Sequence, residues 1–407
     1  MLINIAMKSL RDRKGSVALS IMAMTISVFV LLSVEHIRHQ TKENFANTVS
    51  GVDLIVGART GSLNLLLYSV FKIGSPTNNI SWQSFNTITA NPKVKWAIPL
   101  SLGDSHKGYR VLGTTKQYFE HFSYGKKHRL AFKQGKAFTG IFDVVLGAQV
   151  AKKLGYQLGD QLILAHGIAK TSFSLHNDNP FKVTGILAPI GTPVDHTLHV
   201  SLQSIEAIHH DGKFTPLSNA LEHLQPKSIT AFMIGLHSKI TTFKMQREIN
   251  YYTPEPLLAI MPGVALSELW QTMKILENTL ILVSILVLIS ASLGICAMLL
   301  SSIRERNKEI QLLRGIGASP FFLFRLIALE ALFILAMSIV LSTGILVTIL
   351  VLTQDYLASS FGVQVSTNIV SLGNLYLVSS LLSTSVIIAM FPSIFGFIES
   401  KKNTLSE

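Results

Sequence analysis

The sequence predicts an α-helical membrane protein in which four transmembrane helices carry one large α+β domain outside the bilayer. Three observations predict it. Four stretches, 16–34, 279–302, 326–352 and 372–397, are apolar and long enough to cross a hydrocarbon core, which takes roughly 20 residues. The first two are separated by residues 35–278, where strand-like and helix-like runs alternate as in an ordinary folded domain. The chain as a whole is 48% hydrophobic and only 14% charged, a mixture expected of spans joined to a sizeable soluble part.

The elements follow in order. Residues 1–15 hold Lys8, Arg11, Arg13 and Lys14 against Asp12 and read as an amphipathic N-terminal helix on the cytoplasmic side. No small-residue cleavage site follows in "LLSVEHIRHQ", so 16–34 reads as an uncleaved first span. The segment 303–325, between the second and third spans, carries Arg304, Arg306, Lys308, Arg314 and Arg325. The loop 353–371 has no Lys or Arg, and the tail 398–407 carries Lys401 and Lys402. Short Lys/Arg-rich segments stay inside. Both termini and 303–325 are therefore expected inside, with 353–371 and the domain 35–278 outside.

Within that domain, "VDLIVG" reads as an entering strand. "SWQSFNTITANP" reads as a helix capped by Ser81 and stopped at Pro92. "KVKWAIPLSL" and "GYRVLGTT" read as strands. So do "SITAFMIGL" and "PLLAIMP", with helices at "SLQSIEAIHH" and "TTFKMQREINYY". These place one α+β, porter-like lobe on 50–115 and 195–265. "VVLGAQVAKKLGYQLGDQLILAH" and a hairpin around Asn177–Pro180 place a small β-rich lobe on 116–190, inserted into the first. Leu266, Leu269, Trp270, Met273 and Leu276 recur at helical spacing, and no breaker separates them from the second span. Residues 265–278 should thus be a stalk continuous with it.

Several chemistries find no support. "GYRVLGTT" mimics a phosphate-binding loop, but Thr114 stands where the phosphate-contacting lysine belongs. There is no GxSxG elbow, no HExxH and no paired-cysteine metal motif; the single cysteine, Cys296, lies in a span. All 13 histidines fall between 36 and 237, yet they are scattered, which favours surface or core roles over one metal site. Glu330, about one turn into a span, reads as a carboxylate snorkelling to the interface. The net charge of +12 reads mainly as solvated surface, with anionic lipid or acidic partners as the alternative.

That leaves "RERNKEIQLLRGIGASP" at 304–320. It is too short to be an enzyme, and Ile310, Leu313 and Ile316 share one helical face. Gly315 and Gly317 can terminate the helix, and Pro320 stops it. Such an element suits docking to a soluble motor. The segment resembles the coupling helix of MacB/FtsX-type ABC transporter permeases, which include lipoprotein-releasing permeases. The resemblance rests on Glu309, Ile310, Leu313, Arg314, Gly315, Gly317, Ala318 and Ser319. "IAMKSLRDRKGSVALSIMAMTISV" resembles that family's N-terminal helix and first span, and "VVLGAQVAKKLGYQLGDQLIL" with "FKVTGIL" resembles its periplasmic domain.

The resemblance implies a non-catalytic permease of the bacterial inner membrane, with its large domain periplasmic. It would work as a dimer, with a second copy or a paralogue, and its motor would be a separate cytoplasmic ABC ATPase. ATP and magnesium would be held by that subunit, with no cofactor or metal in this chain. Those eight residues would make the ATPase-coupling site. Membrane lipids and a periplasmic protein or lipoprotein are further expected partners; nucleic acid is not. Two roles fit: export or extraction of an envelope cargo such as a lipoprotein or peptide, or FtsX-like activation of a periplasmic envelope enzyme without transport.

Overall fold

The computed structural model describes residues 13–46, 48–166, 179–209, 225–305, 320–361 and 373–384, with positions 8, 10, 11 and 387 besides. The chain divides into two compact units. One is Lys42–Met273 with Tyr356–Gln364; the other is Met1–Thr41, Lys274–Asp355 and Val365–Glu407.

Nine strands form the main path of the first unit among the described residues. They are β1 (Leu54–Ala58), β2 (Val94–His106), β3 (Tyr109–Thr114), β4 (Phe132–Gly135), β5 (Asp143–Leu146), β6 (Phe181–Leu187), β7 (Thr197–Ser201), β8 (Ala231–Leu236) and β9 (Leu257–Ile260). Among the described residues the α-helices labelled in chain order through both units, leaving aside a helix over 373–384, are α1 (Lys14–Ala46), α2 (Ser62–Leu66), α3 (Trp82–Thr89), α4 (Gln117–His121) and α5 (Ala148–Leu154). They continue with α6 (Leu202–Ile208), α7 (Thr242–Asn250), α8 (Pro262–Glu305) and α9 (Pro320–Phe361).

The strands lie in the order β9-β1-β8-β2-β3-β7-β5-β6-β4. Only β3–β7 and β5–β6 are parallel along this path; the other neighbours are antiparallel. β1, β7 and β8 are buried along their whole length, which explains why they read as continuous apolar runs. Successive residues of β1 feed opposite faces: Leu54 and Val56 join one core, Ile55 another. β5 does the same with Val144 and Leu146 against Val145.

This alternation bears on the expected inserted lobe. On one face two separate clusters form, one around Leu54, Phe85 and Phe232, the other around Val144, Phe181 and Leu198. On the opposite face a single cluster runs beneath the whole path and includes Ile55, Ile98, Leu112 and Val145. Residues 116–190 therefore share their sheet and their core with the residues that flank them. β5 pairs with β7, and the second cluster draws on Val111 of β3 and Ile208 of α6. The long β2 joins the two halves, pairing β8 with its first part and β3 with its last. The expected hairpin falls mostly on 167–178, outside the described residues; its second arm is β6.

Local signals act as their chemistry requires. The Ser81 hydroxyl accepts from the Ser84 N–H at 3.2 Å and caps α3. Gly147 donates to the Thr197 carbonyl at 2.9 Å, and a Cβ there would strike the Val194 and Asp195 backbone, so the start of α5 needs glycine. The outer edge of β9 is covered by α7. Gln246 donates to the Ala259 carbonyl at 3.0 Å, and the Ala259 N–H donates to Asn250 at 2.7 Å.

In the second unit α1 packs through Met24, Val28, Leu31 and Leu32 against Ala328, Ala331, Leu335, Leu346 and Leu350 of α9, joined by Leu381 from the helix over 373–384. Small side chains let the backbones approach: Ala331 and Ser338 are almost wholly buried, and the Ser338 hydroxyl reaches the Ile21 carbonyl at 3.3 Å. Among the described residues α8 contributes the partly buried Val287 and Leu288, and its Ile281, Leu282, Ile285 and Leu286 are exposed. Among the described residues three helices are long and apolar enough to span a bilayer, over Lys14–Glu43, Pro262–Gly294 and Ala328–Gln354. The expected fourth span, 372–397, is described only over 373–384 and at 387.

Candidate functional site: charged joints of the membrane helices

The eight coupling residues, Glu309, Ile310, Leu313, Arg314, Gly315, Gly317, Ala318 and Ser319, lie outside the described residues. Their flanks do not. α8 carries the second span on to Glu305, and Pro320 is the first residue of α9. Proline suits that position because the first helical N–H has no intrahelical partner to lose.

Next to this segment in sequence stands Glu330, on the third turn of α9. It is 2% exposed rather than snorkelling, and its carboxylate lies 3.6 Å from the Arg13 guanidinium. The pairing is the physical reason for the difference: a carboxylate in a helix wall is held there by a cation from the segment before α1. A second joint lies towards the other end of α1. Arg38 donates from Nε to Glu35 at 2.9 Å, from Nη2 to the other Glu35 oxygen at 2.8 Å, and from Nη1 to Glu277 of α8 at 2.6 Å. One planar guanidinium thus ties a carboxylate on its own helix to one on another. At the start of the helix over 373–384, Gly373 meets the Glu35 carboxylate so closely that a Cβ would collide with it. In these joints each carboxylate faces a guanidinium, and what the pairs can do is fix α1, α8 and α9 against one another. The Glu35–Arg38 half was legible as an i,i+3 pair. Glu277 and Arg13 leave no local signal, since their partners are hundreds of residues away.

The first unit holds several buried ionisable groups. Burial depresses the Lys72 ammonium to about 7, helped by nearby Arg110, and Lys72 donates to the Ser69 carbonyl at 2.6 Å. Burial likewise lowers His199 to about 3, with Lys72 adding to the effect; its ring sits 5.3 Å from Tyr118 and 5.8 Å from Phe119. Burial raises Asp195 to about 6 although it accepts from the Ile190 and Gly191 N–H groups. His196 and His199 do not converge: His196 ends a short turn and stacks on Tyr109, while His199 is inside β7. Among the described residues no three His, Cys, Asp or Glu side chains cluster as a metal ion would need.

A groove of about 690 Å³ opens on this unit between α3 and the starts of β2 and α4. Trp82, Phe85, Trp96 and Phe138 give it apolar walls, and Lys95 and Lys116 add charge.

Comparison with known proteins adds to this geometry. The MacB-like periplasmic core domain family matches residues 17–251, and the FtsX-like permease C-terminal family matches residues 281–402. Among solved structures, the periplasmic region of MacB from Actinobacillus actinomycetemcomitans is 12% identical, with a TM-score of 0.35, over 56% of this chain and 94% of that one. The extracellular domain of the noncanonic ABC-type transporter YknZ from Gram-positive bacteria is 14% identical, with a TM-score of 0.31, over 51% of this chain and 98% of that one. No curated protein matches the chain in sequence. Proteins of this kind sit in the inner membrane with a periplasmic domain and work with a cytoplasmic ABC ATPase. With the first family covering more than half of its length and the second most of the remainder, the chain belongs to the MacB/FtsX-type ABC transporter permeases.

Proposed function

We propose that this chain is the permease subunit of an inner-membrane ABC transporter. It couples ATP hydrolysis in a separate ATPase subunit to movement of its periplasmic domain, and so exports or extracts an envelope cargo. The observation that carries this reading is α8. It is one unbroken helix from Pro262 to Glu305, beginning among Ala265, Leu266 and Leu269 in the domain core and ending where the coupling segment begins. A helix transmits displacement along its axis without needing an aqueous conduit. The exposed apolar face of α8 supports a second permease copy or lipid as its neighbour. The groove lined by Trp82 and Trp96 supports a cargo role, since it offers an apolar surface outside the main core.

In this reading Ile310 and Leu313 anchor the coupling helix in a cleft of the ATPase, while Glu309 and Arg314 orient it through contacts at the rim. Gly315, Gly317, Ala318 and Ser319 allow close backbone approach. Both termini are cytoplasmic, and nucleotide and magnesium belong to the ATPase. The test is Leu313→Asp, which puts a charge where a buried anchor is expected, at a cost on the order of a few kcal/mol. The variant should insert in the membrane yet lose co-purifying ATPase, whereas Arg306→Lys should keep it. Retention of the ATPase by Leu313→Asp would overturn the assignment.

A further inference from the structure

The inner face of α7, with Thr242, Met245 and Ile249, is buried against the sheet edge. Its outer face is unusual for a solvated helix. Phe243 and Arg247 of α7 and Tyr251 just past its end follow one another at four-residue spacing, and Ile240, in the single tight turn that leads into α7, precedes Phe243 by three, so helical spacing puts all four on one side. Ile240 is 90% exposed, Phe243 69% and Tyr251 79%. Lys239 and Lys244 flank the stripe and are exposed, as is Arg247. The nearest acids in sequence are engaged elsewhere. Glu248 is held by Lys93 at 2.7 Å, and Glu255 accepts from the Ser81 N–H at 3.0 Å and its hydroxyl at 2.9 Å. The result is a ridge of large apolar groups with three cations along it, and the carboxylate on the same helix, Glu248, is already paired with Lys93.

We propose that this outer face of α7 is a docking surface for a periplasmic protein segment that presents an apolar ridge flanked by carboxylates. Charge decides the chemistry of the occupant. A second copy of this chain meeting the face through the same face would set Lys239, Lys244 and Arg247 against their own like charges. A bilayer would accept Ile240 and Phe243, but Arg247 sits inside the stripe between Phe243 and Tyr251, and hydrocarbon penalises a charge there. A carboxylate on a protein partner instead gives that guanidinium a paired, planar contact between two aromatic rings. Aromatic side chains and arginine are also the residue types that dominate protein–protein binding energy. The surface shares no residue with the groove, and it does not depend on what the cargo is.

The experiment places p-benzoylphenylalanine at Phe243 of the full chain in intact cells, with Lys152, exposed on α5, as the control position. After irradiation the crosslinked peptide is sequenced. The expected result is one protein adduct from position 243 and none from 152, with the crosslink inside a segment carrying at least two Asp or Glu. Arg247→Glu should lower its yield at least tenfold, and changing the contacted carboxylate of the partner to Lys should restore it in that background. Ile240→Ser should lower the yield without being rescued by the charge swap. Adducts to lipid, adducts to a second copy, no adduct, or a protein adduct indifferent to Arg247→Glu would each overturn the proposal.

Discussion

A histidine walled in by Tyr118 and Phe119 has consequences for pH. Burial holds His199 at about 3, well below the ordinary value near 6.5. The unfolded chain therefore binds a proton that the folded domain refuses. The stability this contributes is complete above about pH 6.5 and drains away as pH falls towards about 3. Asp195 runs the other way: burial raises it to about 6, so its contribution is present below about pH 4 and lost as pH rises to 6. In an Asp195→Asn background the His199 limb is no longer opposed by that carboxyl, and His106, which burial also lowers, adds to it with the same sign. The opening free energy of the β7 amides, from hydrogen exchange corrected for intrinsic rates, should then fall by about 1.4 kcal/mol per pH unit below pH 6. His199→Phe should remove most of that slope; an unchanged slope would show that another group carries it. None of this was legible in "VDHTLHVSL", because alternation tells which residues oppose one another, not which face has an aromatic wall. Glu330 is the same lesson. Its position in a span was plain, but the ordinary guess of snorkelling failed because its partner, Arg13, comes from the other end of the sequence.

Among the elements, α8 was the most legible and the most consequential. The apolar spacing from 266 to 276 with no breaker predicted a stalk continuous with the second span, and the helix runs unbroken from Pro262 to Glu305. Periodicity did not say where its packing ends. Leu266 and Leu269 are buried and Met273 packs against the same core, but Leu276 is 54% exposed, since the helix has left the domain by then. Inserting Gly-Gly after Lys274 should therefore spare the domain core while softening the helix, at a cost of roughly 2 kcal/mol in propensity. Substrate-independent ATPase binding should survive and coupled function should be lost. A fully active insertion variant would mean that the domain is not driven through α8.

At the scale of the whole molecule, the order of one span, a large domain and further spans was readable from hydropathy, and the two family matches follow that order. The internal division of the domain was less so. Turn signals and strand spacing marked 116–190 as separate, but which strands pair is a long-range matter, and β7 reaches across to β5. Topology is tested with impermeant thiol labels. Ser105 is too buried, at 1% exposure, to serve as a reporter, so cysteine belongs at exposed Lys153. That site and Asn177 should react from the periplasmic side and Asn307 should not; outside labelling of Asn307 would invert the orientation. One feature of the sheet bears on how such a domain takes a load. The chain enters on β1 and leaves on β9, and these strands are antiparallel neighbours with Ile55 opposite Ile260. Both leads therefore attach at the same end of one ladder. When the two leads are drawn together along the strands, both strands move alike, the rungs between them bear little load and the ladder travels as a block. When the two leads are drawn apart across the strands, the rungs are loaded one at a time from the Ile55–Ile260 end, as in a zip, so this fastening resists a shared tug and yields to a parting one.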